Sequence, residues 1–151
     1  MRVAVAFDHR GTKLRDRILA ELDELDHEPL DLGTDDPEVR VDYPDKARQL
    51  ADVLLSGDAE RGILVCGSGV GASVAANKIH GIRAGICHDV YSAHQGVEHD
   101  DMNVLCLGSE IVGAELAADL VRTFLDASFD GEARHAARLE KVKALEEEPH
   151  G

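Results

Sequence analysis

Two habits of apolar spacing take turns along this chain. Dense apolar runs at 3–7, 63–66 and 103–107 have the length and β-branched content of strands buried on both faces. Elsewhere apolar residues recur every three or four positions: Leu14, Ile18, Leu19, Leu22 and Leu25; then Ala47, Leu50, Ala51 and Leu54; then Val112, Leu116, Leu120, Val121 and Phe124. That spacing predicts amphipathic helices. Residues 29–32 and 83–87 read as two further strands, and 70–78 and 91–97 as two further helices. Pro44 suits the first turn of the helix it opens. A last helix over 131–147 is charged and has a weaker apolar face of Ala136, Leu139, Val142 and Leu145, and from about residue 146 the tail is expected to fray. Strands alternating with helices predict an α/β fold, a parallel sheet with helices on both faces. No repeat, low-complexity stretch or second domain breaks the pattern, and 151 residues fit one domain.

Composition narrows the partners. The chain has 16 basic and 30 acidic residues, a net charge of −14, which argues against nucleic acid or an anionic membrane. Aromatics are 3% of the residues and Trp is absent, so base-stacking platforms are not expected. No apolar run approaches the roughly 20 residues of a membrane span. The N-terminal apolar run is interrupted by Asp8, too soon for a signal peptide. Three cysteines with no CxxC pair suit a reducing compartment, and a cytoplasmic location is expected.

In parallel sheets, ligands bind outside the carboxyl ends of the strands. The chemistry-bearing residues fall there: Asp8 and His9 after the first strand, Cys66-Gly67-Ser68-Gly69-Val70-Gly71 after the third, Cys87-His88-Asp89 after the fourth. Gly67, Gly69 and Gly71 permit positive φ and close backbone approach, and successive amides before a helix make an anion nest. The spacing is not the dinucleotide fingerprint and no GK[ST] follows, so the loop is an anion site or simply a tight turn.

Cys66 opens that loop, and a thiol at a helix N-terminus is a candidate for a lowered pKa. The other reading, a small buried hydrophobe, suits Cys87 and Cys106. Ala72 stands where phosphocysteine chemistry would need arginine. His99 can move protons near neutral pH. His9 beside Asp8 is either a ligand-binding group or a surface histidine next to a helix cap. Arg134 and Arg138, one turn apart in RHxxR, can grip a phosphate together or form a solvated basic patch. His88 with Asp89, and His99 with Asp100 and Asp101, lack the spacing of a metal motif, so neither a metal nor another cofactor is expected.

These residues together resemble the ribose-5-phosphate isomerase B family, which includes galactose-6-phosphate and allose-6-phosphate isomerases. The matching stretches are Asp8-His9-Arg10-Gly11, Asp42-Tyr43-Pro44, the run from Gly62 to Gly71, Ala75-Ala76-Asn77-Lys78, and Gly81-Ile82-Arg83-Ala84. They continue through Tyr91-Ser92-Ala93, His99, Asn103-Val104-Leu105 and Arg134-His135-Ala136-Ala137-Arg138, in order over nearly the whole chain. The resemblance implies a Rossmann-like three-layer sandwich with a five-stranded parallel sheet and an extra C-terminal helix. It implies a metal-free enediolate mechanism on a sugar phosphate, most simply ribose 5-phosphate, in a homodimer or homotetramer with shared active sites.

Carried over by position, Cys66 would move the proton between C1 and C2, His99 would open the sugar ring, and Ser68 would relay a proton between oxygens. The amides of Gly67, Gly69, Val70 and Gly71 would stabilise the enediolate. Asp8 and His9 would hold the sugar or its phosphate, Tyr43 would line the pocket, and Arg134 and Arg138 would bind phosphate, reaching a neighbouring subunit's site. Two positions depart from the family: Asp100, in the substrate-binding set beside His99, replaces the usual Asn, and Glu110 stands where Arg often helps bind phosphate. Both make the pocket more negative, and Arg10 is a cation available to offset them. The departures keep open another substrate: a hexose 6-phosphate, a tetrose 4-phosphate or an unphosphorylated sugar. A non-catalytic anion-binding module is a further alternative, but it would not need Cys66, Ser68 and His99 together.

Overall fold

The computed structural model describes residues 1–149. Five strands alternate with helices: β1 (Arg2–Phe7), α1 (Arg15–Glu24), β2 (Glu28–Asp31), α2 (Tyr43–Leu55), β3 (Arg61–Cys66), α3 (Val70–Ala76), β4 (Ala84–Ile86), α4 (Val90–Asp100), β5 (Val104–Gly108) and α5 (Ala114–Asp126), followed by α6 (Ala133–Glu147). All strand pairs are parallel and the order is β2-β1-β3-β5-β4. The chain steps from β1 outward to β2, then crosses back to β3 on the other side. The switch point therefore lies between β1 and β3, where parallel sheets open a crevice at their carboxyl ends.

The dense apolar runs hide a period of two. Val5, Phe7, Ile63, Val65, Leu105 and Leu107 pack on one face against α1, α4 and α5. Ala4, Ala6, Leu64, Cys66, Val104 and Cys106 pack on the other against α2 and α3. The first face holds the bulk, and each fully buried Leu, Ile or Phe there contributes about 1.5–3 kcal/mol. The second face is built from small residues, so its helices sit close. A methyl group on Gly62 would lie 2.6 Å from Leu50 Cδ2.

Element ends differ from the pattern reading where polar side chains intervene. β4 starts at Ala84, because Arg83 is held by Asn103 Oδ1 (2.7 Å) and the Asp101 carbonyl (2.7 Å) at the sheet's amino edge. α3 stops at Ala76, and the Asn77 amide brackets Ala84, accepting from its N–H at 2.8 Å and donating to its carbonyl at 2.9 Å. Leu14 sits in a 3-10 turn (Gly11–Leu14), and Val112 lies buried before α5 begins. α4 continues to Asp100, so His99 is helical. Of the tail, Glu146 and Glu147 belong to α6, and Glu146 meets His80 at 3.1 Å; His150 and Gly151 lie outside the described residues. Among the described residues, no helix is long and apolar enough to cross a membrane.

Candidate active site

The residues that follow β1, β3 and β5 are stitched into one cluster by the backbone. Asp8 N–H donates to the Val65 carbonyl at 3.0 Å. Ser109 and Glu110 N–H groups, past β5, donate to the carbonyls of Cys66 and Gly67, each at 2.9 Å. Buried Asp8 then closes the β1 loop on itself, its Oδ1 accepting from Arg10 N–H (2.9 Å) and Gly11 N–H (2.8 Å). His9 Nδ1 accepts Val41 N–H at 3.3 Å, which ties down the strap leading to Tyr43.

Cys66 forms the floor, with 6% of its surface exposed. Gly69 N–H donates to its Sγ at 3.2 Å, the contact that complements negative charge on sulfur. Gly69 has φ +82 and serves as the N-cap of α3, a conformation that glycine adopts without Cβ strain. Its α-carbon also faces the β5 backbone, where a methyl group would lie 3.2 Å from the Leu107 carbonyl carbon. Ser68 is exposed, and its Oγ accepts Val70 N–H at 3.3 Å, leaving the hydroxyl proton to donate elsewhere. Tyr43 lies over Gly71, its ring 2.7 Å from where a Cβ would be.

His88 supports the loop from beneath. Its Nε2 accepts Gly108 N–H at 3.0 Å, and burial holds its pKa below the usual histidine value. The ring is thus neutral and committed to the backbone. Burial pushes the Cys87 thiol up to about 11 and raises the Cys106 thiol further, so both stay protonated as packing groups.

His99, Asp100, Arg134 and Arg138 do not join this cluster within one chain. α4 begins at the carboxyl end of β4 and runs back to the amino end of β5, which separates its two ends by roughly 16 Å. His99 therefore sits at the amino edge of the sheet. There its ring stacks on His135, with centroids 4.0 Å apart and planes 24° from parallel. His135 is 3% exposed, and its Nδ1 meets both Asp130 oxygens at 2.8 and 3.0 Å. A carboxylate can only accept, so that nitrogen carries the proton. The contact holds the Asp130 carboxyl below its ordinary range. Asp130 is fixed in turn by its N–H on the Glu98 carbonyl at 3.0 Å. Arg134 is exposed and pairs with Glu132 at 3.0 Å, Asp100 and Arg138 are also exposed, and the two arginines flank His135 on α6.

His99, Asp130 and His135 are close enough to suggest a metal site. Near-parallel stacking directs the two rings' lone pairs side by side and not at one point. Tetrahedral coordination needs convergence, so the trio fits a hydrogen-bonded stack better.

Residue patterns alone missed Asp130 and did not place His135. Their pairing spans a turn at Gly131 with no helical or motif spacing to announce it. The commitment of His88 to Gly108 was equally invisible, because it crosses between two strands.

The model for the ribose/galactose isomerase family matches residues 3–142. Ribose-5-phosphate isomerase B of Escherichia coli is 44% identical over 146 residues, which covers 97% of each chain. D-erythrulose-4-phosphate isomerase 2 of Mycolicibacterium smegmatis is 34% identical over 148 residues, also 97% of each chain. The structure of ribose-5-phosphate isomerase B from Clostridium thermocellum matches with a TM-score of 0.93 at 43% identity, covering 97% of this chain and 98% of that one.

Proposed function

The chain belongs to the ribose/galactose isomerase family and is a sugar-phosphate aldose–ketose isomerase, and on that premise we propose that it interconverts ribose 5-phosphate and ribulose 5-phosphate without a metal, in an active site shared by two copies. The observation that carries this reading is the Cys66 thiol, set on the floor of the glycine loop with the Gly69 N–H on its sulfur. The E. coli relative supports the pentose; the M. smegmatis relative, named for a four-carbon phosphate, keeps a tetrose phosphate as the second reading.

In the proposed mechanism, His99 protonates the ring oxygen and accepts the anomeric hydroxyl proton, so the sugar opens to its aldehyde. Cys66, as thiolate, removes the proton from C2. The electron pair moves through the new C1–C2 double bond to O1, forming an enediolate held by the loop amides. Ser68 passes the O2 proton to O1. The thiol then returns its proton to C1, which leaves the ketose. Asp8, through its grip on the β1 loop, and His9 and Tyr43 shape the pocket. Asp100, Arg134 and Arg138 approach with His99 from the second copy.

Two observations support a second copy. His99 and Cys66 occupy opposite edges of one sheet, while the chemistry requires both at one sugar. Val70 and Val74, one turn apart on α3 beside the Cys66 loop, are 54% and 56% exposed and form an uncovered apolar ridge. Shared sites make the proposed assembly a homodimer or a homotetramer, working in the cytoplasm.

The test is turnover of a panel of aldose and ketose phosphates and their unphosphorylated sugars, with and without EDTA. Turnover of ribose 5-phosphate unaffected by EDTA is expected. Cys66→Ala should lower kcat by about 10²–10⁴-fold with an unchanged melting temperature. Normal turnover in that variant would remove Cys66 as the base.

A further inference from the structure

Arg10 occupies an unusual place in a strongly acidic chain. Most arginines are committed: Arg2 to Glu28, Arg15 to Asp31, Arg83 to Asp101, Arg134 to Glu132, and Arg17 and Arg122 to Glu21. Arg61 donates to the carbonyls of Phe124, Leu125 and Ala127. Among the described residues, no carboxylate lies within ion-pair distance of Arg10, although its side chain is exposed at the mouth of the Cys66 loop.

Its position is built from both ends. The Arg10 N–H donates to Asp8 Oδ1 at 2.9 Å, and its carbonyl accepts from Ser109 Oγ at 2.7 Å. Asp8 and Ser109 are themselves buried, so the backbone of Arg10 is clamped between the β1 and β5 loops. The guanidinium lies against the α-carbon of Gly67, where a methyl group would come within 2.6 Å of Nη1 and 2.7 Å of Nε. Glu110 is near enough to feel its charge, but Lys13 already engages that carboxylate at 2.5 Å.

The geometry points to Arg10 as a phosphate-binding, specificity-determining residue that grips the anionic end of the sugar substrate from the same chain that supplies Cys66. A guanidinium presents a planar fork of donors that matches a phosphate dianion, and this one has no internal anion to release. Its anchored backbone limits the entropy lost on binding. The inference rests on reading the Cys66 loop as the isomerase site, and assigns that site's phosphate selectivity to a residue outside the two α6 arginines.

Arg10→Gln and Arg10→Lys test it in two assays. Calorimetry with inorganic phosphate needs no turnover, so it decides the role of Arg10 even if ribose 5-phosphate is not the substrate. Arg10→Gln should weaken phosphate by about 10–100-fold, the range of a hydrogen bond to a charged partner, with Arg10→Lys in between. Steady-state kinetics should show a matching rise in KM for the sugar phosphate and an unchanged kcat/KM for the same sugar without phosphate. Unchanged phosphate affinity in Arg10→Gln overturns the inference. So does an equal loss on phosphorylated and unphosphorylated sugars, which would mean that Arg10 only shapes the loop. Failure of the isomerase reading itself would appear separately, as wild-type protein that turns over no sugar phosphate.

Discussion

The two edges of the sheet carry clusters of opposite construction. At the carboxyl edge, Cys66, Ser68 and the three glycines come from six consecutive residues, and main-chain hydrogen bonds from β1 and β5 hold them. At the amino edge, His99, Asp130 and His135 come from α4, a connecting turn and α6, and side chains hold them to one another. The first cluster is a preformed cradle with a thiol on its floor. The second is a pair of imidazoles backed by a carboxylate. In the proposed mechanism one abstracts a proton beside an oxyanion and the other does acid–base work on a ring, and the length of α4 keeps them apart within a chain. Under the proposed function, a single chain carries two half-sites facing away from each other.

The sharpest way to break that comparison is complementation. Cys66→Ala and His99→Asn homo-oligomers should each keep about 1% of wild-type activity or less on ribose 5-phosphate. Co-expressed, they should recover about one quarter of wild-type activity, because a mixed dimer retains one intact site of two and half of a random population is mixed. No recovery would mean that the two clusters do not share a site. A smaller effect separates their roles. His99→Asn should slow cyclic substrates by about 10²-fold while leaving short open-chain ketose phosphates nearly untouched. Asp130→Asn, which replaces the charged acceptor of His135 Nδ1–H with a neutral one, should show the same bias at reduced size. Equal losses on both substrate types would argue against ring opening at the amino edge.

The smallest effect is on stability, and it falls in a different pH window for each edge. His88 is held neutral beneath the loop, so the unfolded chain binds more protons below about pH 6.5, and acidification from there should lower the melting temperature. Asp130 has its pKa depressed by His135, so its contribution is present above about pH 4 and is lost as pH falls through its folded value. His88→Gln, whose amide oxygen can still accept Gly108 N–H, should flatten the first slope and leave the second. A slope unchanged by that substitution would show that other groups set the acid response.

How much of this was legible in the residues differs by edge as well. The glycine loop, its thiol and its place after a strand could be read directly, because contiguous backbone geometry is written in contiguous residue types. His99 could be singled out as a proton carrier, but not its stacking partner or its distance from Cys66. Arg10 could be named as a cation, but its setting depended on Ser109 Oγ reaching the Arg10 carbonyl across a separation of 99 residues. The start of β4 near Arg83 and the end of α3 near Asn77 differ from the apolar pattern because polar side chains bond to backbone at the sheet edge, a choice that apolar periodicity does not carry.

By itself, then, the sequence determined the alternation of elements, the parallel sheet and the loop that bears the thiol, since each depends on local spacing and backbone freedom. Only the tertiary structure decided which face each strand residue takes, that β5 lies between β3 and β4, that Arg10 rests on Gly67, and that His99 leans on His135 at the far edge. These are contacts between distant segments, and their energies depend on how the packed layers bring those segments within reach.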